Sequence, residues 1–118
     1  MSCATTAIIG GSGSGTLLPG MTVKEHIELT TPYGNPSSPI VHAIYKDQSF
    51  YVLYRHGMSH TLLPHKINYR ANIWALSELN VKAVVAIATC GAIRSTLVPG
   101  SLMLPDQLID YTLSLIHI

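Results

Sequence analysis

The chain has 118 residues, enough for one domain with a single core. Hydrophobic residues make up 47% of it and charged residues 11%, which excludes a disordered chain. Seven Lys+Arg against six Asp+Glu give a net charge of +1 with no basic patch or charge run, so no nucleic-acid partner is expected.

The first apolar run, Ala7-Ile8-Ile9, is cut short by Gly10 and Gly11, and no basic stretch precedes it, unlike a signal peptide. No apolar run approaches membrane-spanning length, so no membrane partner is expected. The two cysteines, Cys3 and Cys90, cannot build a disulfide framework. Reduced thiols in a soluble cytoplasmic protein are the expectation.

In chain order, Ala7–Ile9 reads as a buried strand running into a glycine turn. The segment Thr31–Pro39 (TPYGNPSSP) is rich in turn formers and reads as a loop. Ile40–Tyr45 and Phe50–Tyr54 are β-prone runs separated by Lys46-Asp47-Gln48-Ser49, which predicts a hairpin. Helical spacing predicts a helix over Tyr69–Leu79, with Ala71, Trp74, Ala75 and Leu79 on its apolar face. Asn68 is the candidate N-cap, and Asn80 can end the helix in a left-handed conformation. Val81–Ala88 (VKAVVAIA) is a near-continuous apolar run, the pattern of a strand in a sheet covered on both faces. Ser101–Leu104 and Leu108–Ile109 are short strand candidates after the Pro99-Gly100 turn. The order strand, hairpin, helix, strand predicts an α/β sandwich around a mixed sheet.

Candidate sites cluster at predicted strand ends. Gly10-Gly11-Ser12-Gly13-Ser14-Gly15 reads either as a nest of amides for an anion, with Ser12 adding a hydroxyl, or as a plain flexible turn. No Lys follows Gly15, and the spacing fits neither a Walker A loop nor a dinucleotide fingerprint. Arg55-His56 closes a strand. Arg makes bidentate contacts to phosphate oxygens, and a neighbouring imidazole can add a donor, although a lone Arg-His pair is more often structural. His56 and His60 have i, i+4 spacing, but Gly57 and Pro64 break any helix through His56, His60 and His65, and no metal is expected. Asn68, Tyr69 and Asn72 are expected to cap and cross-link locally. Ala88-Thr89-Cys90-Gly91 ends the apolar strand, where small residues leave room for a ligand, and Cys90 reads as a buried, inert thiol.

Together, IIGGSG (Ile8–Gly13), TPYGNPSSPI (Thr31–Ile40), RHGMSH (Arg55–His60), PHKINYRANIWAL (Pro64–Leu76), ATCGAI (Ala88–Ile93) and PDQLIDYT (Pro105–Thr112) resemble the methylthioadenosine/methylthioinosine phosphorylase branch of the purine-nucleoside phosphorylases. The resemblance implies an α/β, phosphorylase-type three-layer sandwich with a mixed central sheet, incomplete in this chain, and assembly as a homotrimer. It implies phosphorolysis of 5′-methylthioadenosine or 5′-methylthioinosine, with inorganic phosphate as co-substrate and no cofactor. Phosphate binding carries over to Ser12, Arg55, His56, Ala88 and Thr89. The family commonly reads Thr-Ala or Asn-Ala where this chain reads Ala88-Thr89, which moves the hydroxyl to the other face of an extended strand. The acid that protonates the purine belongs to the family's C-terminal half, so no catalytic residue is expected within this chain, and residues 1–112 are expected to be an N-terminal half that is inactive alone. The alternatives are a general purine-nucleoside phosphorylase, a hydrolytic nucleosidase of the same broad fold, or a non-catalytic phosphate- or purine-binding fragment. The resemblance stops at Thr112. The hexapeptide Leu113–Ile118 is what the start of a transposon-derived sequencing adapter encodes in frame, so residues 113–118 are expected to be a non-native tail, with a native short strand as the alternative.

Overall fold

The computed structural model describes residues 4–11 and 19–111. Ser12 and the segment 113–118 lie outside the described residues. The elements in order are β1 (Thr6–Gly10), β2 (Thr22–Ile27), β3 (Ile40–Tyr45), β4 (Gln48–Tyr54), a 3-10 turn (Pro64–Lys66), α1 (Tyr69–Glu78) and β5 (Ala83–Ala86). The strands form one sheet in the order β2-β3-β4-β1-β5. β2, β3 and β4 are antiparallel neighbours, whereas β1 is parallel to both β4 and β5, so the sheet is mixed as the pattern predicted.

Period-two alternation sorts β4 between two cores. Tyr51 and Leu53 join Ala4, Ala7, Ile40, Ala75 and Leu76 on the α1 face. Val52 and Tyr54 join Val41 and Ala43 on the opposite face, backed by Met21, Val23 and Phe50. The Tyr54 hydroxyl is raised above its ordinary pKa by burial. Among the described residues a single α-helix covers one face of the sheet, which is two layers of the expected sandwich.

The helix signals were local and held. The Asn68 side chain accepts from Ala71 N at 3.2 Å, and Asn80 sits at φ 58°. Ala71 and Ala75 are fully buried, but the buried stripe also takes in Asn72 and Leu76, while Trp74 is only half-buried. The hairpin is tighter than its sequence suggested. Lys46 and Asp47 both adopt positive φ, so Tyr45 pairs directly with Gln48 and β4 begins two residues before Phe50.

Other expectations need correction. β2 had no sequence assignment, because a bulge between Val23 and Glu25 breaks the alternation of TVKEHI. Val81–Ala88 was expected as a strand covered on both faces. The strand is only Ala83–Ala86 and forms the sheet edge, with all of its residues exposed, because its sole described neighbour is β1. Ser101–Leu104 and Leu108–Ile109 form no strand, having no described strand beside them to pair with. Cys90 is exposed rather than buried, for the same lack of cover beyond β5.

Candidate phosphate site at the ends of three parallel strands

β1, β4 and β5 run parallel, so their C-terminal ends share one edge of the sheet. The register sets Gly10 opposite Tyr54 and Ile9 opposite Ala86, which brings Gly11, Arg55 and Ile87 to nearly one level. Ligands of open α/β sheets collect at such edges. Two bonds carry the ladder past the strands: Arg55 N donates to Gly10 O at 3.1 Å, and Ile87 N donates to Ile9 O at 2.9 Å.

The Arg55 side chain then crosses the sheet. It leaves the end of β4, passes over the exit of β1 and donates from Nη1 to Ile87 O at 2.6 Å beyond β5. The crossing depends on Gly11. A Cβ at that buried position would run into the guanidinium itself. Here glycine serves close approach to a side chain, a reason that the glycine-rich composition alone does not reveal. A guanidinium carries five donors, and the Ile87 carbonyl takes one of them. The result is a fixed positive group held across three strand ends.

His56 follows Arg55 but is engaged with the next turn. Its Nδ1 lies 2.8 Å from Leu62 O, and its ring centroid is 4.8 Å from that of His60. A carbonyl only accepts, so Nδ1 carries the proton. Nε2 is then an acceptor in the neutral ring, and it donates to an anion only in the imidazolium form. The Leu62 amide returns a bond to His56 O at 2.9 Å, and Gly57 (φ 85°) and His60 (φ 54°) complete the turn. His65 stands apart on the 3-10 turn, and no group of three or more His, Cys, Asp or Glu residues gathers among the described residues.

Ala88 and Thr89 lie directly beyond Ile87, both exposed, with Ala88 O accepting from Cys90 Sγ at 3.7 Å. The structure thus brings Arg55 to the strand end that leads into Ala88-Thr89 and to Gly11, immediately before Ser12. A separate cleft of about 420 Å³ opens between the 35–39 loop and the 57–62 turn, lined among others by Ser37, Gly57, Thr61 and Lys66. None of Gly11, Arg55 or Ile87 lines it.

Asn68 caps α1 as expected, but the cross-links of Asn68 and Asn72 are not local: each reaches a residue 35 positions away. Asn68 Nδ2 donates to Tyr33 O at 2.7 Å. Asn72, 2% exposed, accepts from Ser37 N at 2.8 Å and donates to Ser37 Oγ at 3.0 Å. Sequence reasoning did not foresee the engagement of Ser37 and Ser38. They stand in a turn-forming loop, and nothing in one dimension marks which serines reach across 35 or 16 positions.

Residues 5–115 match the sequence profile described as the phosphorylase superfamily. The chain belongs to this superfamily. Among similar proteins, S-methyl-5′-thioadenosine phosphorylase of Hyperthermus butylicus is 46% identical over 116 residues, 97% of this chain and 41% of the relative. A probable S-methyl-5′-thioinosine phosphorylase of Pseudomonas syringae is 42% identical over 106 residues, 90% of this chain and 43% of the relative. Among solved structures, methylthioadenosine phosphorylase from Schistosoma mansoni in complex with tubercidin superposes with a TM-score of 0.72 at 38% identity, over 82% of this chain and 33% of that one. This phosphorylase-superfamily chain therefore spans about two fifths of the length of the curated relatives it matches.

Proposed function

We propose that this chain carries the phosphate-holding edge of a nucleoside phosphorylase that converts 5′-methylthioadenosine or 5′-methylthioinosine to free purine and 5-methylthioribose 1-phosphate. The Arg55 guanidinium, held across the ends of β1, β4 and β5, is the observation that carries this reading. The names of the relatives supply the substrate class.

In the reaction a phosphate oxygen bonds to the anomeric carbon as the bond from that carbon to the purine nitrogen breaks. The purine leaves with the electron pair and takes up a proton. The sugar carries cationic character between these events, and an anion fixed beneath it lowers the barrier by charge and by position. Arg55 supplies the fixed cation, and the family resemblance implies further phosphate contacts from His56, from the Ser12 hydroxyl and from the backbone at Ala88 and Thr89. Hydrolysis has no anion for such a group to hold, so the arginine favours phosphorolysis over a water-dependent cleavage. Inorganic phosphate is the co-substrate, and no resident cofactor enters the proposal. The family resemblance extends the same reading to a cytoplasmic homotrimer. Among the described residues no helix is long and apolar enough to cross a membrane.

The test is purine release from 5′-methylthioadenosine and from 5′-methylthioinosine with and without inorganic phosphate, in the full-length protein that carries this segment. Release that needs phosphate, and that falls by about a hundredfold or more in Arg55→Ala, supports the proposal. Release independent of phosphate overturns it in favour of a nucleosidase. The preferred base reports which of the two nucleosides is the substrate.

A further inference from the structure

We infer that Ser38 and Asn72 are positioning residues for Arg55, forming a polar relay from α1 to the phosphate-holding edge. The inference rests on the proposed role of Arg55.

Its origin is a gap in the sheet. β3 and β4 pair from Val41↔Val52 to Tyr45↔Gln48, and continuing that register sets Pro39 opposite Tyr54. Tyr54 N–H points toward β3 there, because the next amide, Arg55 N–H, points the other way to Gly10 O. The turn before Pro39 takes the main chain out of the ladder. The acceptor that Tyr54 finds instead is a side chain: Ser38 Oγ at 3.0 Å, itself donating to Pro39 O at 2.8 Å. Ser38 is 6% exposed, so removing its oxygen leaves the buried Tyr54 amide with no water to replace it.

Ser38 is in turn held from α1. Asn72 takes both the amide and the hydroxyl of Ser37 and is 2% exposed. The Ser37 carbonyl also faces Gly57, where an added Cβ would stand 3.4 Å away, and Gly57 N donates to Tyr54 O at 3.0 Å. Ser38 therefore fixes the start of the Tyr54–Gly57 backbone from which Arg55 and His56 project, and Asn72 anchors the adjoining Ser37 from α1. Ser38 acts on the end of β4 through the Tyr54 amide, one residue before Arg55. A guanidinium that must clear Gly11 and reach Ile87 tolerates little drift at its own Cα, and misplacement of about 1 Å in a binding group is costly.

The experiment uses the isotope-labelled 118-residue chain. It follows amide exchange at Tyr54 and Arg55, the Arg55 Nε–H signal, and titration with inorganic phosphate. In Ser38→Ala the Tyr54 and Arg55 amides exchange roughly tenfold faster or more while Val41–Ile44 holds. The Arg55 Nε–H signal shifts or broadens, and phosphate binds roughly tenfold more weakly. Ser38→Thr, which keeps the hydroxyl, restores all three readouts. Asn72→Ala, which removes both bonds to Ser37, gives a smaller change of the same kind. Faster exchange at Tyr54 with an unchanged Arg55 signal overturns the inference and leaves Ser38 a merely structural residue. Arg55→Ala separates the two readings, since it abolishes phosphate binding with Tyr54 exchange intact. If the unsubstituted chain binds no phosphate, the phosphate reading of the site fails in this chain. The Arg55 signal then decides the positioning role alone: a change in Ser38→Ala sustains it, and no change ends it.

Discussion

The two flanks of the sheet are equally apolar in sequence and opposite in structure. On one side β3, β4 and β1 press against α1, and Ala7, Leu53, Ala71 and Ala75 are completely buried. On the other side β5 keeps its ladder to β1, yet Val84 and Val85 are 44% and 52% exposed, and Ile93, Leu102 and Leu104 beyond it are almost fully so. Backbone pairing alone does not bury side chains. Burial needs a second layer, and α1 supplies it for one flank only. The proposed phosphate-holding edge sits on the boundary: Arg55 is rooted in the packed flank and grips the exposed one through Ile87 O.

The comparison can be broken or sharpened by substitution. The largest stability effect is expected from Leu53→Ala in the packed flank, a loss of about 2–5 kcal/mol, read by chemical denaturation of the chain. The same truncation on the other flank, Val85→Ala, is expected to cost no more than about 0.5 kcal/mol. Similar losses at both positions would show that β5 is packed after all.

Gly11→Ala tests the seam between the flanks. Its Cβ displaces the guanidinium, so phosphate-dependent turnover of the full-length protein should fall by about a hundredfold. Arg55→Ala combined with Gly11→Ala should then be little worse than Arg55→Ala alone, since both act on one contact. Additive losses would separate Gly11 from Arg55.

Limited proteolysis of the 118-residue chain should cut within 93–111 well before 40–54, read by mass spectrometry of the early fragments. Early cuts in the hairpin would reverse the assignment of the stable flank.

The smallest effect expected is alkaline. Burial raises the Tyr54 hydroxyl above its unfolded value of 10.0, so the folded state holds that proton more tightly. Its contribution is present in full below pH 10 and is lost as pH rises through the folded value. Tyr54→Phe should flatten this limb of the stability profile, and an unchanged limb would exclude Tyr54 as its source.

Much of the packed flank was legible because its signals are short-range. The Asn68 cap answers an amide three residues away, Asn80 adopts its left-handed conformation within one residue, and the hairpin joins neighbours in sequence. The motif blocks likewise announced the superfamily, whose profile matches residues 5–115. β2 escaped because its bulge erases the period on which strand reading depends. The exposed flank was misread for a different reason. VKAVVAIA states an affinity for apolar surroundings, but no residue in it says whether those surroundings are present.

By itself, then, the sequence determined the local elements, their caps and turns, and the kinds of group offered to a ligand. Each of these follows from dihedral preferences and hydrogen bonds within a few residues. Only the tertiary structure decided that Arg55 crosses β1 to reach Ile87, that Gly11 must lack a side chain to let it pass, and that Asn72 and Ser38 hold the backbone beneath it. Those contacts join positions 16 to 44 residues apart: parallel strands gather Gly11, Arg55 and Ile87, while the packing of α1 and the 37–38 bend against the β3–β4 edge brings in Asn72 and Ser38.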